Sequence, residues 1–250
     1  MNKVIEQQDK AVSTSNRALG KVFLIPTVLY EETAETIPFY VVDAVKQCEV
    51  FFTENERTAR RYLKMLWREM VIDDYKWFTI HKAEKEVQQS FTQLLKQGNN
   101  IGIISEAGCP CIADPGQLLV NAAQKTGAII QPLVGPSSIL LALMASGMNG
   151  QRFQFVGYLP IDSNERKTTL KELENESAKK NCTQIFIETP YRNNQLVKDI
   201  MQTCKPQTQL CIAVDITAPA ESIRTKSIAE WKKQLPDIHK RLAIFLLYAS

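Results

Sequence analysis

The sequence predicts an α/β protein of two domains, the first built on a mostly parallel sheet and the second on a mixed sheet. As far as residue 146, strand-like apolar runs alternate with segments of helical periodicity, which is typical of parallel β-α units. Residues 146–150 (SGMNG) include two glycines and suit a hinge. Beyond them, two strand-like runs are joined by only a few residues, which favours an antiparallel pair. We therefore expect a flexible leader at 1–19, an N-terminal α/β domain at 20–148 and a C-terminal mixed α/β domain at 149–250.

In the first domain, strands are predicted where short apolar runs are bounded by turn residues, and helices where apolar residues recur at helical spacing. In chain order these elements are strand 22–25, helix 33–47, strand 50–53, helix 57–67, strand 77–80, helix 84–97, the strand that begins at Ile101, helix 118–126, strand 128–134 and helix 139–145. Gly98 and Gly127 are suited to ending the helices that precede them. Asp114 is placed to cap helix 118–126, and Pro115 suits its first helical position.

The second domain is predicted on the same grounds, with longer apolar runs. Its strands are expected at 153–158, 183–188, 209–216, 221–227 and 242–249. Its helices are expected at about 163–178, 191–203 and 228–235.

Composition places the chain among globular proteins, with 44% hydrophobic and 23% charged residues. No apolar run approaches the length of a membrane span, and the N-terminus lacks the apolar region of a secretory signal. We therefore expect a cytoplasmic protein without a membrane partner, whose six cysteines are reduced thiols. The net charge of +3 and the basic clusters near 57–64, 166–171 and 232–241 fit an anionic partner, although solvated helix faces explain the clusters more simply.

The stretch from Ile101 to Gly116, IGIISEAGCPCIADPG, predicts a binding site. It combines a buried strand, a loop of small residues and the start of a helix, which is the ligand-facing edge of an open α/β sheet. A second small-residue turn follows at residues 135–138. A tight connection without a ligand would use the same residue types. Two such loops beside a domain junction nevertheless favour a binding cleft.

Several common active sites are disfavoured by the sequence. It contains two histidines, and Cys109-x-Cys111 has no second pair of ligands at a spacing that zinc would need. It also lacks the phosphate-binding GxxxxGK[ST], a GxGxxG after the first strand and the nucleophile motif GxSxG. Covalent, metal and hydride chemistry are therefore not indicated, and a reaction that depends on positioning is favoured.

Five segments resemble, in order and in spacing, the motifs of one enzyme family. They are residues 54–58 (ENERT), 105–116 (SEAGCPCIADPG), 134–138 (VGPSS), 157–160 (GYLP) and 187–192 (IETPYR). On these residues the chain is similar to the tetrapyrrole-methylase superfamily, the class III S-adenosylmethionine-dependent methyltransferases. Within it, the chain most resembles the branch that 2'-O-methylates a cytidine of small-subunit (16S) ribosomal RNA.

The resemblance implies a homodimer in which each chain holds S-adenosylmethionine in the cleft between its two α/β domains. The residues that it places at the cofactor are Pro26, Glu106, Ala107, Gly108, Ile112, Ser137, Ser138, Glu188, Ile212 and Ala213. Some of them have structural alternatives: Pro26 would end a strand, Ser137 would cap a helix and Ile212 would fill a core in any fold. For Glu188 a functional role is favoured, because a buried and unpaired carboxylate would be costly.

The resemblance also implies an RNA acceptor, expected to be ribosomal, and a set of residues that would serve it. A ribose hydroxyl is a weak nucleophile and would benefit from a positioned base. By resemblance and location, Glu54 and Glu31 are the candidate bases. Arg57 and Arg192 would hold a phosphate or orient a carboxylate. Tyr191, beside Arg192, is also expected on the substrate side, although ion pairs on helix surfaces would use the same charged residue types.

The departures from the family pattern lie mostly on the substrate side. The family segment TPIGNLxD stands here as residues 26–32 (PTVLYEE), and RELTK stands as residues 214–218 (VDITA), without its Arg and Lys. Glu106 replaces the usual Asp in the central loop. These differences predict a diverged paralogue. They leave open a tetrapyrrole or small-molecule methylase, or a protein that binds cofactor or RNA without catalysis.

Overall fold

A computed structural model describes residues 18–80 and 84–249, without the side chains of residues 84 and 85. The first seventeen residues of the predicted leader lie outside the described residues. The described chain forms two five-stranded sheets that follow one another in sequence. We call them the N-terminal and the C-terminal sheet.

The N-terminal sheet is parallel at every pairing between its described strands, which confirms the predicted fold class. In chain order its elements are β1 (Val22–Ile25), α1 (Tyr40–Val45), β2 (Val50–Thr53), α2 (Glu56–Leu66), β3 (Lys76–Thr79), α3 (Glu84–Lys96), β4 (Ile101–Ile104), α4 (Gln117–Thr126), β5 (Ile130–Pro132) and α5 (Ser138–Ser146). The strand order is β3-β2-β4-β1-β5. The loops that leave β1, β2 and β4 therefore emerge side by side at one edge of the sheet.

Helices cover both faces of this sheet, as its continuous apolar strands require. On one face, α1 and α2 pack around Phe51 and Leu63. On the other face, α3 and α4 pack around Phe52 and Leu95. All four of these side chains are completely buried, so the strand ends are held on a rigid support.

Local predictions around two prolines are wrong. The helix expected at 33–47 is reduced to a 3-10 turn and the six-residue α1, because Pro38 disfavours a helical conformation in the residue before it. Asp114 does not cap α4. Gly116 occupies the N-cap with φ of 120°, and no side chain among the described residues caps this end. Pro115 therefore lies before the helix.

The C-terminal sheet is mixed, as predicted. Its elements are β6 (Phe153–Tyr158), α6 (Ser163–Lys180), β7 (Thr183–Ile187), α7 (Asn193–Thr203), β8 (Gln209–Val214), β9 (Ser222–Ser227), α8 (Ile228–Trp231) and β10 (Ala243–Tyr248). The strand order is β6-β7-β10-β8-β9, with β6 and β7 parallel and the other pairs antiparallel. The β8–β9 pair is the one that the short connection predicted.

Helix α5 joins the two sheets. It follows the N-terminal sheet in sequence, yet its residues Ile139, Ala142 and Leu143 are buried against Ile185 and Ala213 of the C-terminal sheet. α6 and α7 pack on the opposite face of that sheet. The N-terminus of α5 is therefore fixed where the edge of the first sheet meets a face of the second.

The segment expected to be a hinge is hydrogen-bonded to the C-terminal sheet. The carbonyl of Ser146 accepts a bond from Thr225 Oγ1 (2.7 Å), and the carbonyl of Asn149 accepts one from Thr183 Oγ1 (3.0 Å). Gly147 ends α5 in the left-handed conformation, with φ of 72°. The connection is thus a turn held to the C-terminal sheet by hydrogen bonds.

Candidate active-site cleft

A cleft of about 390 Å³ lies between the loops at the edge of the N-terminal sheet and one face of the C-terminal sheet. A cavity of about 220 Å³ extends it along the second sheet. Ala107, Ser138 and Ile187 line both spaces, so we treat them as one cleft. Its walls come from both halves of the chain, as the sequence predicted for the binding site.

The loop after β4 brings its main chain to the cleft through Gly108, which has φ of 72°. Gly108 and Thr27 exchange two backbone hydrogen bonds of 2.8 and 3.2 Å, which join the loops after β1 and β4. A Cβ atom at Gly108 would lie 3.2 Å from a Leu29 methyl and 3.3 Å from the Pro136 carbonyl. Only glycine fits this backbone and this space without strain.

The second predicted loop packs directly against the first strand. A Cβ atom at Gly135 would lie 2.1 Å from Cβ of Pro26, so these two segments of the chain can approach this closely only because residue 135 is glycine. Pro26 is fixed in turn, because its carbonyl accepts a 2.6 Å bond from the Tyr62 hydroxyl. Ser137 and Ser138 then line the cleft at the start of α5. The Ser137 hydroxyl does not cap the helix among the described contacts.

Three carboxylates face the N-terminal end of the cleft: Glu54, Glu106 and Asp114. Glu54 Oε2 accepts a 3.2 Å bond from the main-chain N–H of Glu106, and the Thr58 hydroxyl lies 3.4 Å from Glu106 Oε1. Burial raises the pKa of Asp114 to about 6, and the charges of Glu54 and Glu106 contribute to the rise. This end of the cleft is therefore acidic and favours a cationic group.

Glu188 provides a second polar contact point, at the C-terminal sheet. Its side chain is buried, and Oε1 accepts bonds from Arg192 Nε (2.9 Å), Arg192 Nη2 (2.6 Å) and the Thr189 N–H (2.7 Å). Oε2 is also buried but has no hydrogen-bond partner among the described residues. Because Glu188 lines the cleft, this buried acceptor lies in the cleft wall.

Most of the residues predicted at the cofactor come together, but two do not line the cleft. The residues that line it are Glu106, Ala107, Gly108, Ile112, Ser137, Ser138, Glu188 and Ala213. Pro26 lies behind Gly135. The side chain of Ile212 packs in the core on the face opposite to Ala213, because neighbouring residues of a strand point to opposite faces.

The residues predicted on the substrate side are dispersed. Glu54 lines the cleft, whereas Glu31 forms an ion pair with Arg61 beside a separate cavity. Arg57, Tyr191 and Arg192 are not among the described residues that line the cleft. Tyr191 is 70% exposed and has Lys240 over its ring, with Nζ 5.9 Å from the centroid.

Sequence reasoning missed Asp114, Tyr158 and Asp215 as lining residues of the cleft. Asp114 and Tyr158 stand inside the segments that carry the family resemblance, so the signal was present for them. Asp215 belongs to the segment that departs from the family pattern.

The described part of the chain offers neither a metal site nor a membrane span. Within residues 18–80 and 84–249, no group of three or more His, Cys, Asp or Glu side chains could hold a metal ion. The same part of the chain contains no helix that is both long and apolar enough to cross a membrane.

The chain thus has two β-sheets, each covered by helices, with a cleft between them. The chain belongs to the tetrapyrrole (corrin/porphyrin) methylase family, whose sequence model matches residues 33–232. This confirms the family that the motifs predicted.

Among curated relatives, the chain is similar to proteins named ribosomal RNA small subunit methyltransferase I. It is 34% identical to the Vibrio cholerae protein over 156 residues, covering 62% of this chain and 53% of that protein. It is 28% identical to the protein of Buchnera aphidicola subsp. Schizaphis graminum over 232 residues, covering 91% and 78%. The chain thus spans little more than half the length of the Vibrio cholerae relative.

Among solved structures, the fold is similar to that of the methyltransferase CobJ. The TM-score is 0.60 at 14% sequence identity, and the match covers 92% of this chain and 94% of that chain. At this level of identity the similarity concerns the fold alone.

Proposed function

We propose that this chain is an S-adenosylmethionine-dependent methyltransferase that acts on RNA, with a ribose 2'-hydroxyl of ribosomal RNA as the acceptor. The observation that carries the proposal is the cleft, which is lined by two glycine-and-serine loops and by Glu188, whose buried Oε2 has no partner among the described residues. The names of the curated relatives support the acceptor class. The acceptor would place the protein in the cytoplasm, and residues 20–148 and 149–250 would act as its two domains.

The residues of the cleft fit S-adenosylmethionine in shape and chemistry. Gly108 lines the cleft without a side chain, which allows a ligand to lie against its main chain. Ser137, Ser138 and Glu188 Oε2 offer hydrogen bonds to hydroxyl and amino groups. The acidic end of the cleft would hold the cationic part. When bound, the cofactor would supply a methyl group on a sulfonium, from which a neutral thioether departs readily as the methyl is transferred.

The residues of the chain would then act mainly by positioning. Leu29 and Ile187 exclude water from the cleft, and the carboxylates fix the orientation of the donor. Glu54 is the better placed of the two predicted bases, because it lines the cleft and Glu31 does not. Glu54 would accept the proton of the hydroxyl as the new bond to oxygen forms.

Two measurements test the proposal. Isothermal titration calorimetry should show binding of S-adenosylmethionine, and of its demethylated product, at one site per chain. RNA from a deletion strain should lack one 2'-O-methyl nucleoside, as measured by mass spectrometry of the nucleosides. Absence of binding heat would refute the proposal, and binding with an unchanged nucleoside profile would favour a cofactor-binding protein without this catalytic role.

A homodimer is part of the proposal. Phe39 (96% exposed), Met144 (79%) and Val134 (68%) are large apolar side chains on the surface. Phe39 and Val134 belong to neighbouring segments, because the hydroxyl of Tyr40, the residue after Phe39, accepts a 2.6 Å bond from the Val134 N–H. Light scattering after gel filtration should give twice the chain mass, and Phe39→Glu should reduce it to the monomer mass.

A further inference from the structure

A second cavity, of about 410 Å³, lies between helix α2 and the loop after β1, and we call it the α2 pocket. Its volume is in the range of about 300–1,000 Å³ that ligand pockets occupy. Val28 and Glu31 of the loop form one wall, and Thr58, Arg61 and Met65 of α2 form the other. None of the roles assigned above uses this space.

The α2 pocket adjoins the acidic end of the cleft. Glu106 lines both spaces, so the two are neighbours at this residue. Its carboxylate lies 3.4 Å from the Thr58 hydroxyl inside the pocket, and its N–H donates to Glu54 inside the cleft. A group bound in the pocket would therefore be adjacent to the acidic end of the cleft, where the methyl donor is proposed to bind; we call this the donor end.

The pocket is preformed. The Tyr62 hydroxyl donates to the Pro26 carbonyl at 2.6 Å, which fixes α2 to the loop after β1. Tyr62 and Ala59 are at most 7% exposed, so the base of the pocket is part of the core. A ligand would not have to order these elements on binding.

The chemistry of the pocket fits a flat ring with a polar edge. Ala59, Tyr62 and Met65 give it an apolar interior. Its mouth carries the Arg61–Glu31 ion pair, whose side chains are 64% and 76% exposed and are therefore weakly held. An arginine at the mouth can exchange its carboxylate partner for a phosphate.

We propose that the α2 pocket takes the base of a single unpaired nucleotide of the RNA acceptor, while Arg61 leaves Glu31 to bind a neighbouring phosphate. This inference rests on the proposed methyltransferase function. Bases in single-stranded RNA are available for such insertion, because they can be turned out of the strand. The arrangement presents the ribose of the inserted nucleotide at Glu106, between the pocket and the donor end of the cleft.

The first test fills the pocket. Met65→Trp places a large ring in the pocket from an exposed position, and Leu118→Trp makes a comparable change on the exposed surface of α4. The probe is a fluorescent single-stranded RNA oligonucleotide of mixed sequence, followed by anisotropy. Met65→Trp should weaken RNA binding by about tenfold or more, as loss of one base contact does, and Leu118→Trp should not. Wild-type RNA affinity in Met65→Trp would overturn the proposal.

The second test removes the charge. Arg61→Ala deletes an exposed arginine in the middle of α2, and Arg68→Ala deletes an exposed arginine just after the helix, but only Arg61 lines the pocket. Arg61→Ala should reduce both RNA affinity and the dependence of binding on salt, because one phosphate contact is lost. Equal effects of the two variants would contradict a specific role for Arg61.

The third test locates the RNA without relying on activity. Photocrosslinking with a 4-thiouridine oligonucleotide should attach RNA to peptides that contain Val28 or Met65. Crosslinks confined to the exposed Tyr191 would overturn the proposal. Titration with S-adenosylmethionine is run on every variant: a wild type that binds the cofactor but no RNA refutes the pocket, whereas a wild type that binds no cofactor refutes the proposed function itself.

Discussion

Gly108 determines how closely a ligand can approach the main chain of the β4–α4 loop. Its φ of 72°, together with the two atoms that would lie within 3.3 Å of a Cβ atom, leaves no room for a side chain. Gly127 has nearly the same φ, 75°, but a Cβ atom there meets no described atom within 4 Å. The two glycines thus share a backbone requirement and differ in their surroundings.

This difference gives a prediction at the scale of single residues. Gly127→Ala should lower the free energy of unfolding by about 1–2 kcal/mol, because it places alanine in the left-handed region, and Gly108→Ala should lower it further, because its Cβ atom would also crowd Leu29 and the Pro136 carbonyl. Only Gly108→Ala should also weaken S-adenosylmethionine binding, by about tenfold. Urea unfolding and calorimetry measure the two effects. Equal cofactor affinity in both variants would contradict the role given to Gly108.

A second prediction concerns Glu188. Glu188→Gln keeps the shape of the side chain but replaces a charged acceptor, so cofactor affinity should fall by about tenfold, since hydrogen bonds to charged groups contribute about 1.5–3 kcal/mol. Glu174→Gln is the matched control, because Glu174 is also buried and bonds to Thr208 Oγ1 and the Lys205 N–H away from the cleft. The control should lose stability and keep its cofactor affinity. Calorimetry distinguishes the two.

Asp114 leads to a prediction about pH. Its pKa is raised to about 6, so the carboxylate is charged at pH 7.5 and becomes neutral as the pH falls to 5. Affinity for the cationic cofactor should therefore decrease over this interval. Asp114→Asn should be weaker at pH 7.5 and nearly independent of pH, whereas Asp237→Asn, at the surface, should keep the wild-type profile. A wild-type affinity that rises on acidification would contradict the assignment.

At the scale of elements, a buried ion pair joins α6 to α7. Arg166 and Asp199 are 3% and 1% exposed, with Arg166 Nε 2.8 Å from Asp199 Oδ2. Arg166 also donates to the carbonyls of Pro160 and Ile161, at 3.0 and 2.7 Å. The pair thus fixes the entry to α6 together with the packing of the two helices.

Asp199→Ala should lower the free energy of unfolding by about 3–5 kcal/mol, because it leaves the Arg166 charge buried without its partner. Glu176→Ala breaks the Lys180–Glu176 pair, which lies at the surface of α6, and should have a much smaller effect. Urea unfolding followed by circular dichroism measures both. Similar losses in the two variants would show that the buried pair stabilises the fold no more than the surface pair does.

The sequence allowed most elements to be predicted, because the alternation of apolar runs is a local signal. Where prediction failed, distant contacts decided the outcome. Aspartate often caps helices, so Asp114 was a reasonable candidate. The loop that contains it is instead paired with Thr27 through Gly108; Gly116 occupies the N-cap and Asp114 faces the cleft. Nothing near Asp114 in sequence indicates that distant pairing.

At the scale of the molecule, the glycine and serine loops and Glu188 could be predicted from motifs, whereas the side chain of β8 that faces the cleft could not. Ala213 and Ile212 were expected together, but the pleat sends them to opposite faces. The register of β8 against β10 decides which of them lines the cleft, and register depends on the packed sheet. The α2 pocket was missed for a related reason, since its walls are separated in sequence and meet only in the fold.

The position of α5 has a mechanical consequence. Because α5 is buried against the C-terminal sheet, and Gly135 just before it packs against Pro26 at the end of β1, moving the two halves apart would have to break one of these two contacts. Entry and exit of small molecules would then depend on rearrangement of surface loops, and turnover should be insensitive to a crosslink that locks the halves together.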